Sequence, residues 1–243
     1  MKLKVLSVAL GLSVLTFVAC SQTGNKNVAL NNKIDSISYS IGINFGHNLK
    51  KSNIENFNEE VLLAGVYSAI NGDSLKIDLR EGATMVNKYV SELRDKIGKE
   101  NIAKGEKFLA ENAEKEGVIT TESGLQYKII TEGTGEKPTA SDRVKVHYRG
   151  TSIDGKEFDS SYKRGEPITF FANRVIKGWI EALQLIPVGS KCKLFIPSKL
   201  AYGEKGAGDI GPNETLIFEI ELLEIVKPEK AKEDQKQPKT DKK

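Results

Sequence analysis

The apolar pattern of this chain changes period once, at Gly117, and that single change excludes most folds. Upstream, apolar residues recur three and four apart; downstream they alternate. The expected class is therefore α+β: an antiparallel β-sheet wrapped on one short helix, preceded by an all-α domain with a long connecting helix. A length of 243 residues accommodates two modest domains of this kind.

Ile34, Ile37, Ile41, Phe45 and Leu49 form the first helical stripe, with Gly42 and Gly46 one turn apart as a place for close helix packing. A second helix is predicted over 59–71, capped by Asn58 and ended by Gly72, with Phe57 and Leu62 at staple positions. The third begins at an Asp78 cap with Glu81 three residues on. Its residues Leu79, Ala83, Val86, Val90, Leu93 and Ile97 step four and three in turn, the spacing of a coiled-coil seam. Continued to 116, this helix would be about 57 Å long at 1.5 Å per residue, too long to lie wholly against a small domain. It is expected to project, with Gly98 and Gly105 marking bends. An apolar seam held away from the fold needs burial, so 33–116 is read as a homodimerisation domain, the alternative being a monomeric helical domain.

The two ends read differently. Lys2 and Lys4 precede an apolar run to Ala19 that is too short to span a bilayer, so 1–19 is read as a removed export signal. Its end, Ala19-Cys20, resembles the lipoprotein signal of bacteria, which implies that Cys20 becomes a lipidated N-terminus and anchors the chain to a membrane. Phe17 departs from the leucine usual in such signals. The polar stretch 20–32 is a tether and the Lys-rich stretch 227–243 a disordered tail. Without Lys2 and Lys4 the 36 basic residues fall to 34 against 33 acidic, a net charge of +1. Neither that charge nor any basic patch interleaved with aromatics supports binding of nucleic acid. With Cys20 lipidated, Cys192 has no disulfide partner and is read as a buried structural thiol.

Beyond Gly117, strands are expected over 125–130, 144–148, 167–171, 191–197 and 215–226, one helix over 175–185, and a Gly-rich loop over 202–212. Asp154-Gly155 signals a type I′ hairpin. His147 alternates away from Tyr148 and is expected to face solvent.

Four islands carry the chemistry of 117–226: Val-Lys-Val-His-Tyr-Arg-Gly (144–150), Glu-Phe-Asp-Ser-Ser (157–161), Val-Ile-Lys-Gly-Trp-Ile-Glu-Ala-Leu (175–183) and Leu-Ala-Tyr-Gly (200–203). Each sets aromatic or branched apolar side chains beside one polar group, the composition of a small apolar pocket with a few orienting hydrogen bonds. No island pairs a nucleophile with a base, clusters metal ligands or forms a phosphate-cradling loop, so no cofactor and no metal are expected. In this order, and with the closing run 215–223, the islands resemble the FKBP-type peptidyl-prolyl isomerase domain. The helical part with its long helix is similar to the dimeric isomerases of the macrophage-infectivity-potentiator kind.

The resemblance implies an FKBP-like sheet domain over 117–226 and an enzyme that isomerises X–Pro bonds in unfolded or exported polypeptides. It implies catalytic roles for Asp159, Tyr202 and Trp179, with Trp179 as the pocket floor. It further implies substrate-binding walls from Tyr148, Phe158, Ile168, Val175, Ile176, Ile210 and Phe218. Many family members carry an aromatic residue where Ile168 stands, which bears on the macrolide binding that the resemblance admits. The implied location is the cell envelope, lipid-anchored at the outer membrane and facing the periplasm of a Gram-negative bacterium. A second reading keeps the scaffold without turnover, as a non-catalytic chaperone or surface interaction module. Since the pocket residues lie between 148 and 218, a fragment of 117–226 is expected to turn over short peptides nearly as fast as the whole chain.

Overall fold

A computed structural model describes residues 28–52, 54 and 57–227. The export signal, Cys20, most of the tether and nearly all of the tail lie outside them.

Helix α1 (Lys33–Lys51) starts where Asn32 Oδ1 accepts hydrogen bonds from the amides of Ile34 and Asp35, at 2.8 and 2.9 Å. Helix α2 (Glu59–Asn71) starts at Asn58, whose Oδ1 accepts from the Val61 amide at 3.1 Å, and stops at Gly72 in the left-handed region, φ 72°. Asn58 and Gly72 were legible as caps. Neither helix contains a buried residue, so Ile34, Ile41, Val61 and Tyr67 stand open to solvent.

Helix α3 (Leu79–Ala113) runs for 35 residues, about 52 Å, from an Asp78 cap that accepts from Arg80 and Glu81. Gly98 and Gly105, expected to mark bends, are points of close approach. A Cβ on Gly98 would stand 3.0 Å from Asn213 Nδ2, and one on Gly105 would stand 2.2 Å from Thr215 Oγ1. Asn112 is also buried, donating to Gln126 Oε1 at 2.9 Å, and Gln126 Nε2 donates back to the Leu109 carbonyl at 2.8 Å. The C-terminal half of α3 therefore lies against the sheet instead of projecting. The Leu79 end stays exposed, with Leu79, Met85, Val86 and Tyr89 each more than half accessible.

The sheet is antiparallel throughout, ordered β1-β2-β6-β7-β3-β4, with β5 also on β3. These strands are β1 (Ile119–Thr120), β2 (Gln126–Thr131), β3 (Arg143–Ser152), β4 (Glu157–Ser160), β5 (Ile168–Phe171), β6 (Lys191–Ile196) and β7 (Leu216–Val226). Along β3 and β7 the buried residues alternate, the mark of a sheet with one covered face. The cover is α5 (Lys177–Leu185), which buries Trp179, Ala182 and Leu183 among Val146, Leu194, Ile196 and Ile220. Gly178 permits this contact, since a Cβ there would lie 2.6 Å from Ile196 Cγ2. Val175 and Ile176, expected inside the helix, precede it, Val175 in a bend and Ile176 in extended backbone.

Two details depart from expectation. The β3–β4 hairpin is not type I′, because only Gly155 has a positive φ (82°) and Asp154 does not. The Gly155 amide donates to the Ser152 carbonyl and the Ser152 amide to Lys156, a type I turn closed by a glycine bulge. A further one-turn helix, α4 (Ser161–Arg164), ends at Gly165 with φ 80°. Cys192 is fully buried, and burial pushes its thiol up to about 12.

Candidate active site

The pocket sits where β3, β4, β7 and α5 converge. Tyr148 and Gly150 point inward from β3, and Gly150 pairs across the sheet with Phe218 of β7. A Cβ on Gly150 would come within 2.6 Å of the Phe158 ring and 2.8 Å of Phe218, so only glycine lets those rings meet edge to face, 5.5 Å apart at 80°. Trp179 forms the floor, almost wholly buried. Tyr148 and Phe218 stand on it at right angles, with centroids 5.3 and 5.2 Å away. These are the favoured geometries of aromatic pairs. The indole Nε1 is buried without a hydrogen-bond acceptor.

The resulting cavity has a volume of about 750 Å³. Tyr148, Phe158, Asp159, Ile168, Val175, Ile176, Trp179, Tyr202, Ile210 and Phe218 all line it, so every pocket residue named from the sequence is brought to one place. Ile168 supplies an aliphatic wall. Phe170, which the sequence reading passed over, also lines the cavity and packs 5.7 Å from Trp179. It lies two positions from Ile168 on β5, and the period-two rule could have paired them.

One polar device occupies the rim. Asp159 accepts hydrogen bonds from the Tyr148 hydroxyl and from Arg164 Nη1, while Arg164 Nη2 donates to the same hydroxyl at 2.7 Å. The guanidinium also lies over the Tyr148 ring, 5.4 Å from its centroid. Burial alone would raise the Asp159 carboxyl, but the hydrogen bonds from Tyr148 and Arg164 outweigh it and hold the group below its ordinary value. Burial raises the Tyr148 hydroxyl, and its bond to the carboxylate raises it further. Tyr202 is likewise pushed up, by burial first and by the charge of Asp159 second. Arg164 was missed because nothing in its neighbourhood reads as a motif. The left-handed Gly165 that ends α4 at Arg164 was the available signal.

His147 faces away from the pocket, as the alternation implied, but not into open solvent. Its Nδ1 lies 3.0 Å from Ser161 Oγ, and its ring stacks on Tyr162 at 4.6 Å and 12°.

An antiparallel sheet covered by a helix, with a walled aromatic pocket whose Asp159 carboxylate is already committed, defines a protein that works by enclosing an apolar segment. Residues 134–223 match the family described as FKBP-type peptidyl-prolyl cis-trans isomerase, and residues 34–129 match the domain described as amino terminal to it. The chain is 48% identical to the FKBP-type peptidyl-prolyl cis-trans isomerase FkpA of Aeromonas hydrophila over 203 residues, covering 78% of this chain and 75% of that one. It is 42% identical to the outer membrane protein MIP of Legionella longbeachae over 236 residues, covering 93% and 99%. The crystal structure of FkpA from Escherichia coli superposes with a TM-score of 0.61 at 38% identity, covering 81% of this chain and 98% of that one.

This chain belongs to the FKBP-type peptidyl-prolyl cis-trans isomerase family. It is an enzyme that interconverts the two forms of X–Pro bonds and so assists folding, and the reading as a scaffold without turnover is set aside.

Proposed function

We propose that the pocket accelerates X–Pro rotation by desolvation, with Trp179 beneath the proline ring and Tyr202 donating a hydrogen bond to a substrate carbonyl. Rotation breaks amide resonance against a barrier of about 18–20 kcal/mol. The twisted amide is less polar than either planar form, so an apolar cavity favours it relative to water. Each 1.36 kcal/mol or so of that preference is a factor of ten in rate. No proton moves. The observation that carries this reading is the pocket floor itself, a buried Trp179 walled by Tyr148 and Phe218. Asp159 stays a fixed charge that braces Tyr148, since Arg164 and the Tyr148 hydroxyl already occupy it. Turnover of a proline peptide by Asp159→Ala and Tyr202→Phe tests the assignment. Both should be slower, and unchanged turnover in both would leave the apolar walls as the whole mechanism.

The domain limits we favour are a helical dimerisation domain over 33–116 and an isomerase domain over 117–226, with the last turns of α3 packed on the latter. The open apolar positions of α1, α2 and the first half of α3 support a homodimer formed through these helices. The relative named as an outer membrane protein supports a cell-envelope location, where exported polypeptides would be the clients and a lipidated Cys20 the anchor. Macrolides are candidate ligands of the same cavity, with Ile168 reshaping one wall. Cys20→Ala should release the protein from membranes on cell fractionation, and unaltered processing and attachment would refute the anchor.

A further inference from the structure

We propose that Asn101, on α3 and outside the catalytic pocket, is a positioning residue for isomerisation, holding the 203–213 loop that carries Ile210 and springs from Tyr202. The proposal rests on the reading that Tyr202 and Ile210 work in that pocket.

The loop has few supports of its own. Its neck is closed by the Asn213 amide donating to the Gly203 carbonyl at 2.8 Å, and its tip by paired bonds between Ala207 and Ile210. Asn213 adopts φ 55°, which costs a residue with a side chain free energy unless its surroundings hold it there. Glu214 accepts from the Gly211 amide at 2.9 Å and Lys51 Nζ lies 3.9 Å from Asp209 Oδ1, but the support for the 212–213 limb is one stripe of α3. Gly98 lies against Pro212 and Asn213, Asn101 Nδ2 donates to the Pro212 carbonyl at 2.8 Å, and Gly105 lies against Thr215. Positions 98, 101 and 105 are spaced three and four apart, so they share a helix face. The two glycines leave room for the side chains of Pro212, Asn213 and Thr215, and Asn101 is the polar member placed between them. Pro212 and Thr215 are buried, so the carbonyl it serves has little access to water and depends on this donor. The returning limb is thus fixed to the helix two residues from Ile210, and through the neck to Gly203, the neighbour of Tyr202. Tyr202 itself is 40% exposed.

The experiment compares full-length Asn101→Leu, Asn101→Asp and Asn101→Gln by steady-state isomerisation of a proline peptide, thermal unfolding and amide hydrogen exchange. Leu keeps the size and removes the donor; Asp keeps the shape and turns a carboxylate on the carbonyl; Gln keeps the donor. Removing a donor from a buried carbonyl predicts a fall in kcat/KM of about three- to tenfold for Leu and Asp, with partial recovery in Gln. Exchange should quicken at the amides of Ile210, Gly211 and Asn213, while β6 and β7 stay protected. Unchanged kcat/KM in Leu and Asp overturns the proposal. So does a loss that tracks a lowered Tm with exchange quickened across the whole sheet, because that is general destabilisation. Tyr202→Phe serves as the control. Normal turnover in that variant refutes the pocket role of Tyr202, whereas slow loop exchange in the Asn101 variants refutes the positioning, so the two failures fall on different measurements.

Discussion

Asp159 keeps its charge because two donors face it, and that fixes how the enzyme responds to pH. Its folded-state value is lowered, so its ionised form is complete above the ordinary carboxylate range and is lost only as pH falls through the depressed value. Tyr148 and Tyr202 are both raised and remain neutral well into alkali. Peptide isomerisation should therefore be flat between about pH 5 and pH 9. A titration midpoint inside that window would show that a further group works in the pocket. At this scale the sequence was most informative where a side chain has one plausible use. Trp179 and Tyr202 sit in short islands with a recognisable pattern. Arg164 and Phe170 do not, and their roles depend on where α4 and β5 set them beside Asp159 and Trp179.

Strand β3 is the element on which the pocket is built, because one face of it supplies Tyr148 and the gap at Gly150. Gly150→Ala would drive a methyl into the Phe158 and Phe218 rings, an overpacking that costs about 1–3 kcal/mol. The expected outcome is a lower midpoint in denaturant together with reduced kcat/KM and a shifted emission from Trp179, the only tryptophan in the chain. Unshifted emission with normal turnover would mean the rings can part freely. Helix caps were legible at this scale because a cap is a local event, an Asn or Asp oxygen meeting amides two or three residues on. What the glycines of α3 meet was not legible, for the opposite reason. A glycine inside a helix can mark a bend or a close neighbour, and the neighbours of Gly98 and Gly105 are more than a hundred residues away in sequence.

For the whole molecule, the exposed apolar residues of the helical part set the expectation. Light scattering should give twice the chain mass for the full-length protein and one chain mass once 33–78 is removed with α1 and α2. A monomer at about tens of micromolar, a generous test for modest affinity, would sink the dimer. Two pockets on one dimer raise the effective concentration of sites around a bound client, so refolding of a protein substrate should depend on dimerisation more than peptide turnover does.

The sequence by itself determined the two-part architecture, the capped helices, the alternating strands and the aromatic residues of the pocket. Each of these is written in spacing over a few residues, where backbone geometry dictates which side chains share a face. Tertiary structure alone decided which partners those faces meet. It tied Asp159 to Arg164, set Phe170 beside Trp179, and laid α3 along the 203–213 loop with Asn101 on the Pro212 carbonyl. The last of these joins residues 111 apart in the chain, and even the nearer pairs cross from one element to the next, where a single sequence carries no local period that records them.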